Sequence, residues 1–80
     1  MSISDHLSKG LSYLQDKNYQ YAIYEYDKIL NNPDNQNNLT ALVGRSSSFL
    51  HLENYTRSLM DIKIIIDKVP NSIQGLYIQG

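Results

Sequence analysis

The side chains that could perform acid-base, nucleophilic or metal chemistry are few in this 80-residue chain. It contains two histidines, His6 and His51, without evident carboxylate partners, and no cysteine that could form a disulfide or a thiolate metal site. It has no HExxH zinc motif, glycine-rich phosphate loop or nucleophile elbow. Asp61 and Asp67 fall outside the apolar stripe of their segment, which predicts that both face solvent. The sequence therefore predicts no catalytic residue, metal site or cofactor, and a protein that is not an enzyme.

Charge and hydropathy narrow the classes of partner. Seven basic and eight acidic residues give a formal net charge of -1 and form no basic stripe, so nucleic acid is not expected as a partner. No apolar run approaches the length of a membrane span, and the first residues lack the features of a secretory signal. We therefore expect one cytoplasmic domain, with the nucleus as a second compartment, and no membrane partner.

The chain repeats itself after 36 residues. A further shift of 34 residues carries second-repeat positions onto Ile73 and Tyr77, so a third unit is predicted to begin there. Such periods are typical of stacked helical repeats. The first shift pairs residues of similar chemical class, among them Tyr13 with Phe49, Leu14 with Leu50, Tyr19 with Tyr55, Ile23 with Leu59, Tyr26 with Ile62 and Leu30 with Ile66.

Apolar residues within each unit follow the three-and-four step of one helix face. Segments 19–30 and 55–66 show this step and are predicted as helices. Residues 62–66 are rich in β-branched side chains and alone would favour a strand, but the repeat favours a helix. Turn signals separate the predicted helices at residues 16–18, 31–38 and 53–54. A capping box, Ser2-x-x-Asp5, marks the start of the first helix.

These patterns resemble the tetratricopeptide repeat (TPR) family, whose unit reads W-x2-L-G-x2-Y, then A-x3-F, then P. The resemblance implies an all-α, right-handed stack of antiparallel helical hairpins, with repeat 1 at about 3–36, repeat 2 at about 39–72 and the first helix of a third repeat at about 73–80. It implies that His6 packs in the tryptophan slot, and that Tyr19 and Tyr55 fill equivalent places in the core. The matching residues are His6-x2-Lys9-Gly10-x2-Tyr13, Ala22-x3-Tyr26 and Pro33 in the first unit, and Leu42-x2-Arg45-Ser46-x2-Phe49, Ser58-x3-Ile62 and Pro70 in the second.

In this family the first helices line a concave groove that holds a peptide or helix of a partner protein. A well-known variant clamps the acidic tails of chaperones, and the corresponding positions here hold Leu7, Leu11, Gly44, Gln74 and Ile78, none of which can pair with a carboxylate. We therefore expect a protein-binding scaffold with an apolar groove instead of a clamp. The candidate groove residues are Leu7, Leu11, Leu14, Val43, Ser47, Leu50 and His51.

Other interpretations fit the same residues. The leucines are equally compatible with packing against an adjoining segment or a second copy of the chain. Self-association into a homo-oligomer would use a candidate exposed end. A structural module of a larger TPR-containing chain and an accessory domain of a multidomain enzyme are further alternatives. Tyr21 and Tyr24 fall off the core face and are interpreted as neutral surface positions. The candidate exposed end consists of Ile73, Leu76, Tyr77 and Ile78.

Overall fold

The computed structural model describes residues 2–68. No strand occurs in that part of the chain, so the predicted all-α class is confirmed. Residues 62–66 are helical, as the repeat predicted. The predicted helix at about 73–80 lies outside the described residues. The elements are α1 (Ile3–Gln15), α2 (Tyr19–Leu30), a short 3-10 helix (Pro33–Asn35), α3 (Leu39–His51) and α4 (Tyr55–Lys68).

The helices pack in chain order. α1 packs on α2 to form hairpin 1, and α3 packs on α4 to form hairpin 2. α2 also packs on α3, and α1 makes a smaller contact with α3. Corresponding helices begin 36 residues apart, at Ile3 and Leu39 and at Tyr19 and Tyr55. The helices of the structure therefore repeat with the same 36-residue period as the sequence.

Both hairpin turns have the same backbone geometry. The amide of Asn18 donates to a carbonyl five residues back at 2.8 Å, and the amide of Asn54 does the same at 2.8 Å. These bonds are the mark of the Schellman motif, which satisfies carbonyls at the end of a helix. Lys17 and Glu53 precede the two donors and have φ values of 64° and 63°. L residues are strained in this left-handed region, so the two turns store similar strain.

Side chains cap the first helix of each hairpin. Ser2 and Asp5 form the predicted capping box at the start of α1. Asn38 caps α3, because its side-chain oxygen accepts a hydrogen bond from the amide of Ala41 at 2.9 Å. Each cap satisfies amides that have no partner inside the helix and contributes on the order of 1 kcal/mol.

The core lies where the two hairpins meet. Apart from Tyr26, its members are small or branched, which allows α2 and α3 to approach closely. Fully burying one residue such as Leu42 contributes about 1.5–3 kcal/mol. The buried cluster consists of Ala22, Tyr26, Ile29 and Leu30 of α2 with Ala41 and Leu42 of α3.

Tyr19 and Tyr55 do not have equivalent surroundings, so that prediction is wrong. The Tyr19 ring stacks on His51 of α3, with ring centroids 4.5 Å apart and planes 7° apart. Tyr55 is 56% exposed. The difference arises because the next hairpin covers Tyr19, whereas the described residues include no helix after α4 that covers Tyr55.

Candidate partner-binding groove

An apolar groove of about 410 Å³ lies between α1 and α3. Three leucines on successive turns of α1 form one wall, and Val43 of α3 stands opposite them. Leu11 is 50% exposed and Val43 is 54% exposed, so both have surface left for a partner to cover. The residues that line the groove are Ser4, Leu7, Ser8, Leu11, Leu14, Tyr26, Thr40, Val43 and Gly44.

The structure brings together four of the seven predicted groove residues. Leu7, Leu11, Leu14 and Val43 line the groove. The 36-residue shift pairs Leu7 with Val43, so one helix position supplies both walls. The i, i+4, i+7 spacing of the three leucines indicated their common face. The resemblance to the repeat family indicated that the first helices line a groove.

The other three predicted residues do not line the groove. Ser47 and Leu50 follow Val43 on the same face of α3 but lie beyond the lining. Leu50 is 52% exposed and continues the apolar surface. His51 is also absent from the lining, and its ring stacks on Tyr19 of α2. A single helical step beyond Leu50 turns the side chain by about 100° toward the other hairpin.

Tyr26 forms the floor of the groove and was not predicted as a site residue. Its side chain is 2% exposed, and it is held between two glycines. A Cβ atom at Gly10 would lie 2.7 Å from the ring, and one at Gly44 would lie 2.6 Å from the hydroxyl oxygen. Burial raises the pKa of Tyr26 above its ordinary value, because the phenolate is less well solvated there. A neutral hydroxyl therefore stands at the base of an otherwise apolar surface.

The groove itself carries no charge. Among the described residues, its lining contains no lysine, arginine, aspartate, glutamate or histidine. Its polar groups are the hydroxyls of Ser4, Ser8, Thr40 and Tyr26. Such a surface favours apolar side chains and offers a few neutral hydrogen bonds, and it provides no ion pair for a carboxylate or phosphate.

The buried charges of the described chain are paired by contacts within and between the hairpins. Asp61 is 3% exposed, so the prediction that it faces solvent is wrong. Arg45 reaches it with two hydrogen bonds, from Nε at 2.8 Å and from Nη2 at 2.7 Å. The other terminal nitrogen of Arg45 donates to Asp27 at 2.9 Å. The bonds to Asp61 raise the pKa of Arg45, against the opposing effect of burial.

Hairpin 1 contains a related pair. Nδ1 of His6 lies 2.9 Å from Oε1 of Glu25, which is 6% exposed. His6 does have a carboxylate partner, so the expectation that it lacks one is wrong. The 36-residue shift places Glu25 on Asp61. This correspondence was the sequence signal for the two buried pairs. Acidic residues at the same repeat position indicate a shared role, and a buried acid requires a basic partner.

The remaining candidate residues stay at the surface. Tyr21 and Tyr24 are 61% and 57% exposed, which confirms that they lie off the core face. Tyr21 contacts the Tyr13 ring at 5.4 Å between centroids, and the Lys28 ammonium lies 4.3 Å from the Tyr24 ring centroid. Asp67 is exposed, as predicted. The candidate end, Ile73, Leu76, Tyr77 and Ile78, lies outside the described residues.

Within residues 2–68, no cluster of three or more histidine, cysteine or acidic side chains is arranged to hold a metal ion. The same part of the chain has no helix of the length and hydropathy that crossing a bilayer requires. No protein-family model, curated protein or solved structure matches the chain.

Proposed function

We propose that this chain is a TPR-type protein-interaction scaffold whose groove between α1 and α3 binds an apolar peptide or amphipathic helix of a partner protein. The observation that carries the proposal is the uncharged apolar lining of that groove. Apolar grooves of this kind recognise helices and extended segments through side chains placed at regular intervals. The hairpin packing and the 36-residue backbone period support the TPR-type scaffold.

The groove suits an uncharged ligand surface. Leu7, Leu11 and Gly44 occupy clamp positions of the family, and they line the groove without a single cation. A carboxylate placed there would lose its hydration and gain no charged partner. Burying the exposed halves of Leu11 and Val43 contributes about 1 kcal/mol each. The Tyr26 hydroxyl then orients the bound segment, because it offers one hydrogen bond at the floor of the groove.

Selection from a displayed peptide library tests this function. We expect the chain to enrich peptides with apolar residues at helical or alternating spacing, and Leu11→Asp to lose at least tenfold in affinity for them. Leu11 is half exposed, so the substitution leaves the core intact. Met60→Asp is the matched control, because it places the same charge at an exposed position of α4 that belongs to neither apolar surface. Peptides that bind all three proteins equally would contradict the proposal, and so would enrichment of acidic peptides.

A further inference from the structure

A second apolar surface runs along α4, separate from the groove. It comprises Tyr55, Leu59, Ile62 and Ile66, which follow the i, i+4, i+7, i+11 spacing of one helix face. Tyr55 is 56% exposed, Leu59 63% and Ile66 46%. We call this set the α4 stripe. A contiguous exposed stripe of large apolar residues marks an interaction surface more often than scattered ones do.

The molecule itself shows what covers such a stripe. The 36-residue shift carries the four residues of the α4 stripe onto Tyr19, Ile23, Tyr26 and Leu30 of α2. α3 packs on α2, and it leaves Tyr26 2% exposed and Leu30 6% exposed. Small residues on α3 permit this approach, because any side chain at Gly44 would overlap the Tyr26 ring. Ala41 and Ser48 stand on the same face and are 0% exposed.

A second copy of the chain does not supply an equivalent helix through α1. The α1 positions that correspond to Ala41, Gly44 and Ser48 hold Asp5, Ser8 and Ser12, and all three are exposed. Burying this polar face against the α4 stripe would leave its polar groups without partners. The two ends of the described molecule are therefore not complementary. The 34-residue shift aligns Gly44 with Ile78 and Arg45 with Gln79 in this chain, so its own sequence supplies neither the small nor the acidic residue at these positions.

Charge specifies the covering helix further. Asp27 of α2 receives a hydrogen bond from Arg45 of α3 at 2.9 Å. On α4 the position that corresponds to Asp27 is Lys63, which is exposed. A helix that covers α4 as α3 covers α2 should therefore carry an acidic residue at the position of Arg45.

We propose that the α4 stripe binds a helix of a partner protein that has small residues at the positions of Ala41, Gly44 and Ser48 and an acidic residue at the position of Arg45. The helix lies on α4 as α3 lies on α2. This surface acts independently of the groove between α1 and α3, and it does not rest on the function proposed above.

Cysteine protection tests the proposal, because the chain has no cysteine of its own. The probe is a synthetic peptide of residues 38–52 that carries Arg45→Glu. Leu59→Cys places a thiol in the α4 stripe, and Tyr24→Cys is the control at a similarly exposed position of α2. We expect saturating peptide to slow alkylation of Leu59→Cys at least fivefold and to leave Tyr24→Cys unchanged. A peptide that also carries Gly44→Leu should not protect.

Exchanging the charges at Lys63 and at the Arg45 position of the peptide distinguishes specific docking from nonspecific apolar binding. The Arg45→Glu peptide should bind about twofold to fivefold more tightly than the unaltered peptide, as for an exposed ion pair. Lys63→Glu in the protein should reverse that order. Absence of protection, equal slowing at both thiols, or an unchanged order with Lys63→Glu would overturn the proposal. Slow alkylation of Leu59→Cys without peptide would also overturn it, because the stripe would then already be covered by this chain or a second copy.

Discussion

The two hairpins have one backbone plan and two different environments. Their turns share the same hydrogen bonds and left-handed residues, Lys17 and Glu53. Yet α2 is covered on two sides, by α1 and α3, whereas α4 packs on α3 within the described part of the chain. The comparison teaches that local sequence determines where helices begin and end, and that burial depends on which element is stacked next.

The buried acids extend the comparison. Each hairpin buries one acid on its second helix, and a basic residue from its first helix binds it: His6 binds Glu25, and Arg45 binds Asp61. Arg45 also donates to Asp27 of hairpin 1. The Arg45–Asp61 pair in hairpin 2 therefore contributes to the contact between hairpins, whereas the His6–Glu25 pair in hairpin 1 joins only α1 and α2.

The largest expected effect comes from removing the acid of hairpin 2. Asp61→Ala leaves Arg45 without its two-bond partner, and an arginine in a protein cannot discharge by losing a proton. We expect a loss of about 3 kcal/mol in the free energy of unfolding, measured by urea denaturation. Glu25→Ala should cost about 1 kcal/mol, because His6 loses a single hydrogen bond. Equal losses would mean that the two pairs are alike.

The next effect tests the contact between α2 and α3. Gly44→Ala forces a methyl group into the Tyr26 ring, so the hairpins must separate slightly, at a cost of about 2 kcal/mol. Ser8→Ala is the control at the corresponding exposed position of α1, and it should change stability by less than about 0.5 kcal/mol. Thermal melts of both variants measure the difference. A Gly44→Ala protein as stable as the control would show that α2 and α3 are not in close contact.

A smaller effect separates the two repeat-related tyrosines. Tyr19→Ala removes the ring that stacks on His51 and should cost about 1 kcal/mol. Tyr55→Ala should cost under about 0.5 kcal/mol in the isolated chain, because that ring is more than half exposed. Urea denaturation of the two variants measures this order. If Tyr55→Ala were the more damaging change, the sequence-based prediction of a buried Tyr55 would be restored.

The smallest effect should be equal in the two hairpins. Lys17→Gly and Glu53→Gly relieve the same left-handed strain, and each should stabilise the fold by about 0.5 kcal/mol, since glycine also loses more entropy on folding. Precise denaturation curves can resolve such a gain. Gains that differ between the two turns would show that their surroundings also matter.

Residues whose partners lie nearby in sequence were predicted well. Ser2 and Asp5 form the capping box that their spacing indicated, and the predicted turns at 16–18 and 53–54 lie between the observed helices. Leu7, Leu11 and Leu14 share a helix face by periodicity alone, so their common wall followed from the sequence. These features depend on interactions within one or two turns of helix.

Residues whose environment depends on distant elements were predicted poorly. Asp61 was assigned to solvent because it lies off the apolar stripe of its segment, yet it is buried and paired with Arg45 of another helix. His51 was placed in the groove, although its ring stacks on Tyr19 from hairpin 1. Tyr26 was expected as a packing residue, but its place at the groove floor depends on the approach of α1 and α3 from opposite sides. Repeat spacing shows which positions are equivalent, but it does not identify the residues on other helices that contact them.

The shared cluster at the meeting of α2 and α3 has a consequence for how the molecule comes apart. Because Tyr26 and Leu42 belong to one apolar unit, neither hairpin retains a core once the other has opened. The middle two helices should therefore lose their amide protons to deuterium last and at a common rate, whereas the outer two helices can fray first.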